Sequence, residues 1–65
     1  MSKIELRRAL VAQMSPTASN SDRIESFQIL EQFKKCKTNE QVTLIGQLSH
    51  DPDENIKHAA KGKVF

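Results

Sequence analysis

The only two prolines, Pro16 and Pro52, follow Ser15 and Asp51. The residue before a proline is pushed out of the helical region, so a helix running into either pair must stop there. Proline is nonetheless well suited to the first position of a new helix. The two pairs therefore break the 65 residues into short pieces, and each piece carries its own helix-start signal.

Ser2 with Glu5 three residues on is a capping box. Leu6, Leu10 and Met14 then recur at i, i+4 spacing with Ala9 beside them, which predicts a helix over 3–14. The turn formers of residues 15–21, SPTASNS, read as a polar linker. A second helix over 22–36 starts near Asp22, with Glu25 at its third position. Its apolar residues Ile24, Phe27, Ile29, Leu30 and Phe33 cover more than half of the circumference, wider than the stripe of an ordinary surface helix. Either this helix forms the centre of the domain, or a partner covers part of its face.

Thr38 and Gln41 read as a third capping box, with Val42, Leu44, Ile45 and Leu48 behind it. The spacing of Val42, Ile45 and Leu48 suits a helix over 39–49. Val42, Leu44 and Leu48 also fit a strand alternation, and Gly46 weakens a helix by about 1 kcal/mol. Both readings of 42–48 stay open, with helix preferred. Asp51-Pro52-Asp53-Glu54 reads as an N-cap, a first-position proline and two first-turn acids, which opens a helix over 52–63. Ile56, Ala59, Ala60 and Val64 line one of its faces, with Lys57, Lys61 and Lys63 mostly off that stripe. Only Ser49 to Asp51 separate the third and fourth helices, a connection short enough to make them antiparallel neighbours. Gly62 is expected to fray the last turn.

A domain of this size buries only about 60% of the surface its unfolded chain exposes. With 37% hydrophobic residues and no Trp or Tyr, the core must come from Leu, Ile, Val, Ala and Phe. Hydrophobic gain and chain entropy nearly cancel in such a chain. Cys36 is the only cysteine, so no internal disulfide can help. Marginal stability, or support from another chain, is expected. One cysteine and no signal-like apolar run fit a reducing intracellular setting, cytoplasm or nucleus in a eukaryote. No stretch approaches the ~20 apolar residues of a membrane span.

The net charge of +2 is small, but its distribution is uneven. Residues 1–33 are balanced; Lys34, Lys35 and Lys37 form a basic knot; 38–55 hold acids only; Lys57, Lys61 and Lys63 follow. Lysines at a helix C-terminus suit the macrodipole, and a polyanion-binding patch is the sharper alternative. Nucleophilic catalysis needs a nucleophile, a base and an orienting group. Cys36, with Lys34, Lys35 and Lys37 nearby to lower its pKa, is opposed by the helix C-terminus and reads as a partly buried, inert thiol. His50 reads as a C-terminal cap. With one cysteine and acids explained as helix starts, His50 and His58 do not make a zinc-finger pattern. With two glycines in all, there is no phosphate loop. A non-enzyme without metal or other cofactor is expected.

Residues 44–64 resemble a HEAT repeat. Leu44 and Leu48 precede the turn Asp51-Pro52-Asp53; Ile56, Lys57, Ala59, Ala60 and Val64 follow it. The earlier string, with its Ser-Pro break and Arg23, Glu25, Leu30, Glu31 and Lys34, is similar to the N-terminal repeats of importin-β-type transport receptors, especially exportins. The resemblance covers nearly the whole chain and implies an all-α fold of three to four short helices in antiparallel HEAT-like hairpins. In that family the N-terminal repeats contact the Ran GTPase, though no motif here assigns that contact to residues. Arrays of this kind need about three or more units, so the resemblance implies a fragment or a minimal adaptor. A rival resemblance joins residues 42–48 and Asp51-Pro52 to the opening strand of bacterial-type single-stranded DNA-binding proteins, with 62–65 as the next strand. It implies an OB-like barrel over 42–65 that tracks backbone charge and stacks bases on aromatics.

The expected function is a protein–protein interaction module. Its partner surface would use Phe27, Ile29, Leu30 and Phe33 with the Lys-rich edges Lys34, Lys35, Lys37, Lys57 and Lys61. Single-stranded nucleic-acid binding and a small transcription or nucleoid regulator acting through a protein partner are the alternatives; a homo-oligomer is left open.

Overall fold

A computed structural model describes residues 1–62. Within them the fold is all-α: α1 spans Lys3–Met14, α2 Asn20–Lys35, α3 Thr38–Leu48 and α4 Glu54–Gly62. Residues 42–48, open to a strand reading in sequence, lie wholly within α3. With α4 also helical across 54–62, the OB-like reading of this segment is overturned. Gly46 does not break α3, because Leu44 and Leu48 on either side of it anchor that face in the core.

The start of α1 follows its capping box. Ser2 Oγ accepts from the Glu5 backbone N–H at 3.3 Å and donates to the Glu5 carboxylate at 3.4 Å. At its end Ser15 is extended, as Pro16 requires. The other three starts differ from the sequence expectation. Ser19, not Asp22, caps α2: its Oγ accepts from the Asp22 N–H at 3.2 Å, so the helix begins two residues early. Lys37 is the N-cap of α3 and contributes no side-chain bond. Thr38 is already helical, and Gln41 is diverted to α2, donating to the carbonyls of Phe33 at 2.9 Å and Lys34 at 3.2 Å. Those carbonyls belong to the last turn of α2, and the Phe33 carbonyl also accepts from the Cys36 N–H at 3.1 Å.

Asp51 does not open α4 either. Its carboxylate accepts from the Asp53 N–H at 2.9 Å, an Asx-turn that carries Pro52 outside the helix. Asp53 takes over as cap: its Oδ1 accepts from the Asn55 N–H and its carbonyl from the Lys57 N–H. The connection therefore runs from Ser49 to Asp53, and Ser49, not His50, is the C-cap of α3. Lys63 and Val64, assigned above to the end of the fourth helix, lie outside the described residues, as does Phe65.

The core gathers Leu6 and Leu10 of α1, Phe33 of α2, Leu44 and Leu48 of α3, and Ile56, Ala59 and Ala60 of α4. Met1, Leu30 and Ile45 pack against it. Helix α1, not α2, is the hub: it packs against all three other helices, while α2 rests mainly on α1. The breadth of apolar coverage on α2 left two readings in sequence, a central helix or a face covered in part by a partner; the central position belongs to α1. The neighbours of α2 cover only one side of it.

Candidate partner-binding surface

Helix α2 buries two residues, Ser26 and Phe33. They stand seven apart and mark the side turned to the core. Ser26 donates to the Arg23 carbonyl and accepts from the Gln13 side chain at 2.9 Å, which satisfies a hydroxyl that would otherwise be costly to bury. Ile29 turns the same way, toward a groove with Ala9, Ala12 and Ser15. At 100° per residue, Ile24 lies on the opposite side and Phe27 on the flank between the two sides, and these residues remain 61% and 60% exposed. They are one turn apart and form a continuous apolar surface.

The nine residues expected to bind a partner are thus divided by the fold. Phe27 is open. Leu30 is half-buried against the core, Ile29 half-buried in the groove, and Phe33 is buried and only 5% exposed. Phe33 is a core residue, which corrects its assignment to a binding face. Lys34, Lys35 and Lys37 are exposed at the end of α2, with Lys34 Nζ 3.9 Å from Glu31. Lys57 and Lys61 sit on α4, whose packing partners are α1 and α3. Lys57 pairs with Glu54 at 3.1 Å. No single surface unites the two groups of lysines with Phe27.

Arg23 borders the apolar patch. It donates to the carbonyls of Ser15 at 3.1 Å and Ala18 at 3.4 Å, holding the 15–19 linker against the start of α2. Sequence reasoning gave Arg23 a place in a motif but no contact. Ile24, counted among the apolar residues of the second helix, was not singled out as a binding residue; its i, i+3 spacing to Phe27 was the available signal.

Several titratable groups away from this face are engaged in structural bonds. Asp51 is buried and grips Arg7, accepting from Nε at 2.7 Å and Nη2 at 3.3 Å. The Arg7 hydrogen bond, then the Asp53 N–H, hold the Asp51 carboxyl below its usual range. Neither partner was foreseen, since 44 residues separate them. The Met1 amino group donates to Glu40 at 3.0 Å, and that bond lowers the Glu40 pKa. Burial, followed by a hydrogen bond with Glu40, pushes the Cys36 thiol up, opposite to the depression the neighbouring lysines suggested. The thiol donates to the Gln32 carbonyl at 3.3 Å. Among the described residues no group of three or more His, Cys, Asp or Glu could hold a metal ion, and no helix is long and apolar enough to cross a membrane.

No known family model, curated protein or solved structure matches the chain.

Proposed function

We propose that this chain is a non-enzymatic protein-binding module whose contact surface is the outer face of α2. The observation that carries the reading is the exposure of Ile24 and Phe27 side by side on a helix whose inner face is already packed. Large apolar residues scattered singly on a surface are ordinary; adjacent ones, rimmed here by Arg23, Glu31 and Lys34, mark interaction sites. Phenylalanine in such a position can serve as an anchor of a protein contact.

The resemblance to HEAT-type repeats of importin-β-like receptors belongs to this proposal. An all-α fold of four short helices supports it, and Arg23, Leu30, Glu31 and Lys34 of the exportin-like string lie on α2. A helical-repeat unit buries its free face against whatever stacks next to it, which is the behaviour proposed for Ile24 and Phe27.

A photo-crosslinking amino acid at position 27 is expected to give discrete protein adducts in cell extract. The same group at exposed His58 of α4 should give few. Equal labelling from both positions, or none from position 27, would remove this reading.

A further inference from the structure

The outer face of α2 has an internal symmetry. Phe27 stands at its middle. Three residues before and after it are apolar, Ile24 and Leu30; four before and after it are opposite charges, Arg23 and Glu31. At 100° per residue all five fall within an arc of about 120° centred on Phe27. Ile24 is at the edge of this arc farthest from buried Ser26 and Phe33, and Leu30, half-buried against the core, is at the edge nearest them. The pattern is symmetric in apolar character and antisymmetric in charge.

From this face we infer that the partner is a second copy of the same chain, docked through an antiparallel pairing of α2 with α2 about a two-fold axis at Phe27. This deepens the protein-binding reading above and rests on it. A two-fold contact is self-complementary, so residue i of one copy meets residue j of the other twice over. Reversing one helix about Phe27 brings Ile24 level with Leu30 of the second copy and Arg23 level with its Glu31. Both charged pairs are then of opposite sign. A parallel pairing would instead set Arg23 against Arg23 and Lys34 against Lys34.

The basic ends also favour the reversed arrangement. The pairs Lys34–Lys35 of the two copies would lie about 22 Å apart along the helices at 1.5 Å per residue. That exceeds the screening length of about 8 Å at physiological salt. The area sets the strength. Ile24 and Phe27 expose roughly 250 Å² per copy, against about 800 Å² per partner in a stable interface. The dimer is therefore weak and concentration-dependent, with a small apolar centre and a charged rim that fixes direction.

Sedimentation equilibrium of the purified protein from 10 µM to 1 mM tests the inference. The native chain is expected to shift from monomer toward dimer across that range. Phe27→Asp should stay monomeric with unchanged helicity by circular dichroism. Glu31→Lys should weaken the association about tenfold at low salt, and the double variant R23E/E31K should recover most of it. Rescue by the charge swap is a result that an unspecific apolar contact would not produce. A native chain that remains monomeric at 1 mM overturns self-association. If position 27 still gives discrete adducts with other proteins, the binding reading survives that failure; if it gives none, both fall. A dimer indifferent to Phe27→Asp overturns the assigned face.

Discussion

Helix α4 has nine residues and buries Ile56, Ala59 and Ala60; α2 has sixteen and buries Ser26 and Phe33. The shorter helix has two alanines in its buried stripe and the longer one has five large apolar residues, yet α4 is the better integrated. The difference lies in geometry. Ile56, Ala59 and Ala60 occupy i, i+3 and i+4, a narrow stripe that α1 and α3 can close completely. The apolar residues of α2 spread around the helix, and its main packing partner is α1. A helix can only be buried on as many sides as it has neighbours. The surplus on α2 is thus surface, and α4 with little apolar content is core.

The largest expected effect tests the α4 side of this contrast. Ile56 is fully buried, and truncating a buried Ile to Ala costs about 2–5 kcal/mol. A domain this small has about 3–5 kcal/mol to lose. Ile56→Ala is therefore expected to be largely unfolded or to lose most of its urea midpoint, read by circular dichroism at 222 nm. A midpoint shift no larger than that of a surface variant would break the contrast.

The second effect concerns the turn that leads into α4. Arg7 of the hub helix clamps Asp51, and Asp51 forms the Asx-turn around Pro52. Its pKa is lowered on folding from about 3.9 in the unfolded chain. A carboxyl of this kind stabilises fully above its unfolded pKa, and the contribution is lost as pH falls through the folded value. The native urea midpoint should be level between about pH 5 and pH 7 and fall below about pH 4. Asp51→Asn should start lower at pH 7 and fall less steeply. Some acid sensitivity should remain, because Glu40 is shifted in the same direction. An identical slope in the two proteins would show that the clamp contributes nothing to the pH dependence.

Smaller effects separate the helices between these extremes. Gln41→Ala removes the donor that serves the Phe33 and Lys34 carbonyls, at a cost of about 1 kcal/mol. The loss should appear first as faster amide exchange in the last turn of α2. Gly46→Ala should act in the opposite direction, stabilising α3 by about 1 kcal/mol. The added methyl meets no atom within 4 Å, so only the helix-propensity gain remains. A lower thermal midpoint for Gly46→Ala would contradict the open environment found there.

Periodicity and capping chemistry are local, and they made the helices legible. Ser2 with Glu5, and Leu6, Ala9 and Leu10, read in sequence as they stand in the fold. Local rules failed where a distant group competed for the same atoms. Asp51 had the sequence of an N-cap, but Arg7 claims its carboxylate. Gln41 had the spacing of a capping box, but the end of α2 claims its amide. The candidate surface was legible in part for the same reason. Phe27 and Phe33 are both phenylalanines on one amphipathic stretch, six residues apart. Only the placement of α1 decides that Phe33 faces the core and Phe27 does not, and no local pattern in α2 encodes where α1 lies.

That distinction yields the smallest expected effect and the most direct comparison. Phe27→Ala, measured in dilute solution where the chain is monomeric, should change folding stability by no more than about 0.5 kcal/mol. The sign should lean toward stabilisation, because Ala is the better helix former. Phe33→Ala should cost about 3–5 kcal/mol at nearly the same place on the same helix. Urea denaturation of the two variants side by side makes the test. Similar losses would mean that the outer face of α2 belongs to the core, leaving no free surface for a partner. A near-neutral Phe27→Ala that keeps its fold but stays monomeric at 1 mM, where the native chain dimerises, would place the purpose of that side chain outside the monomer's own stability.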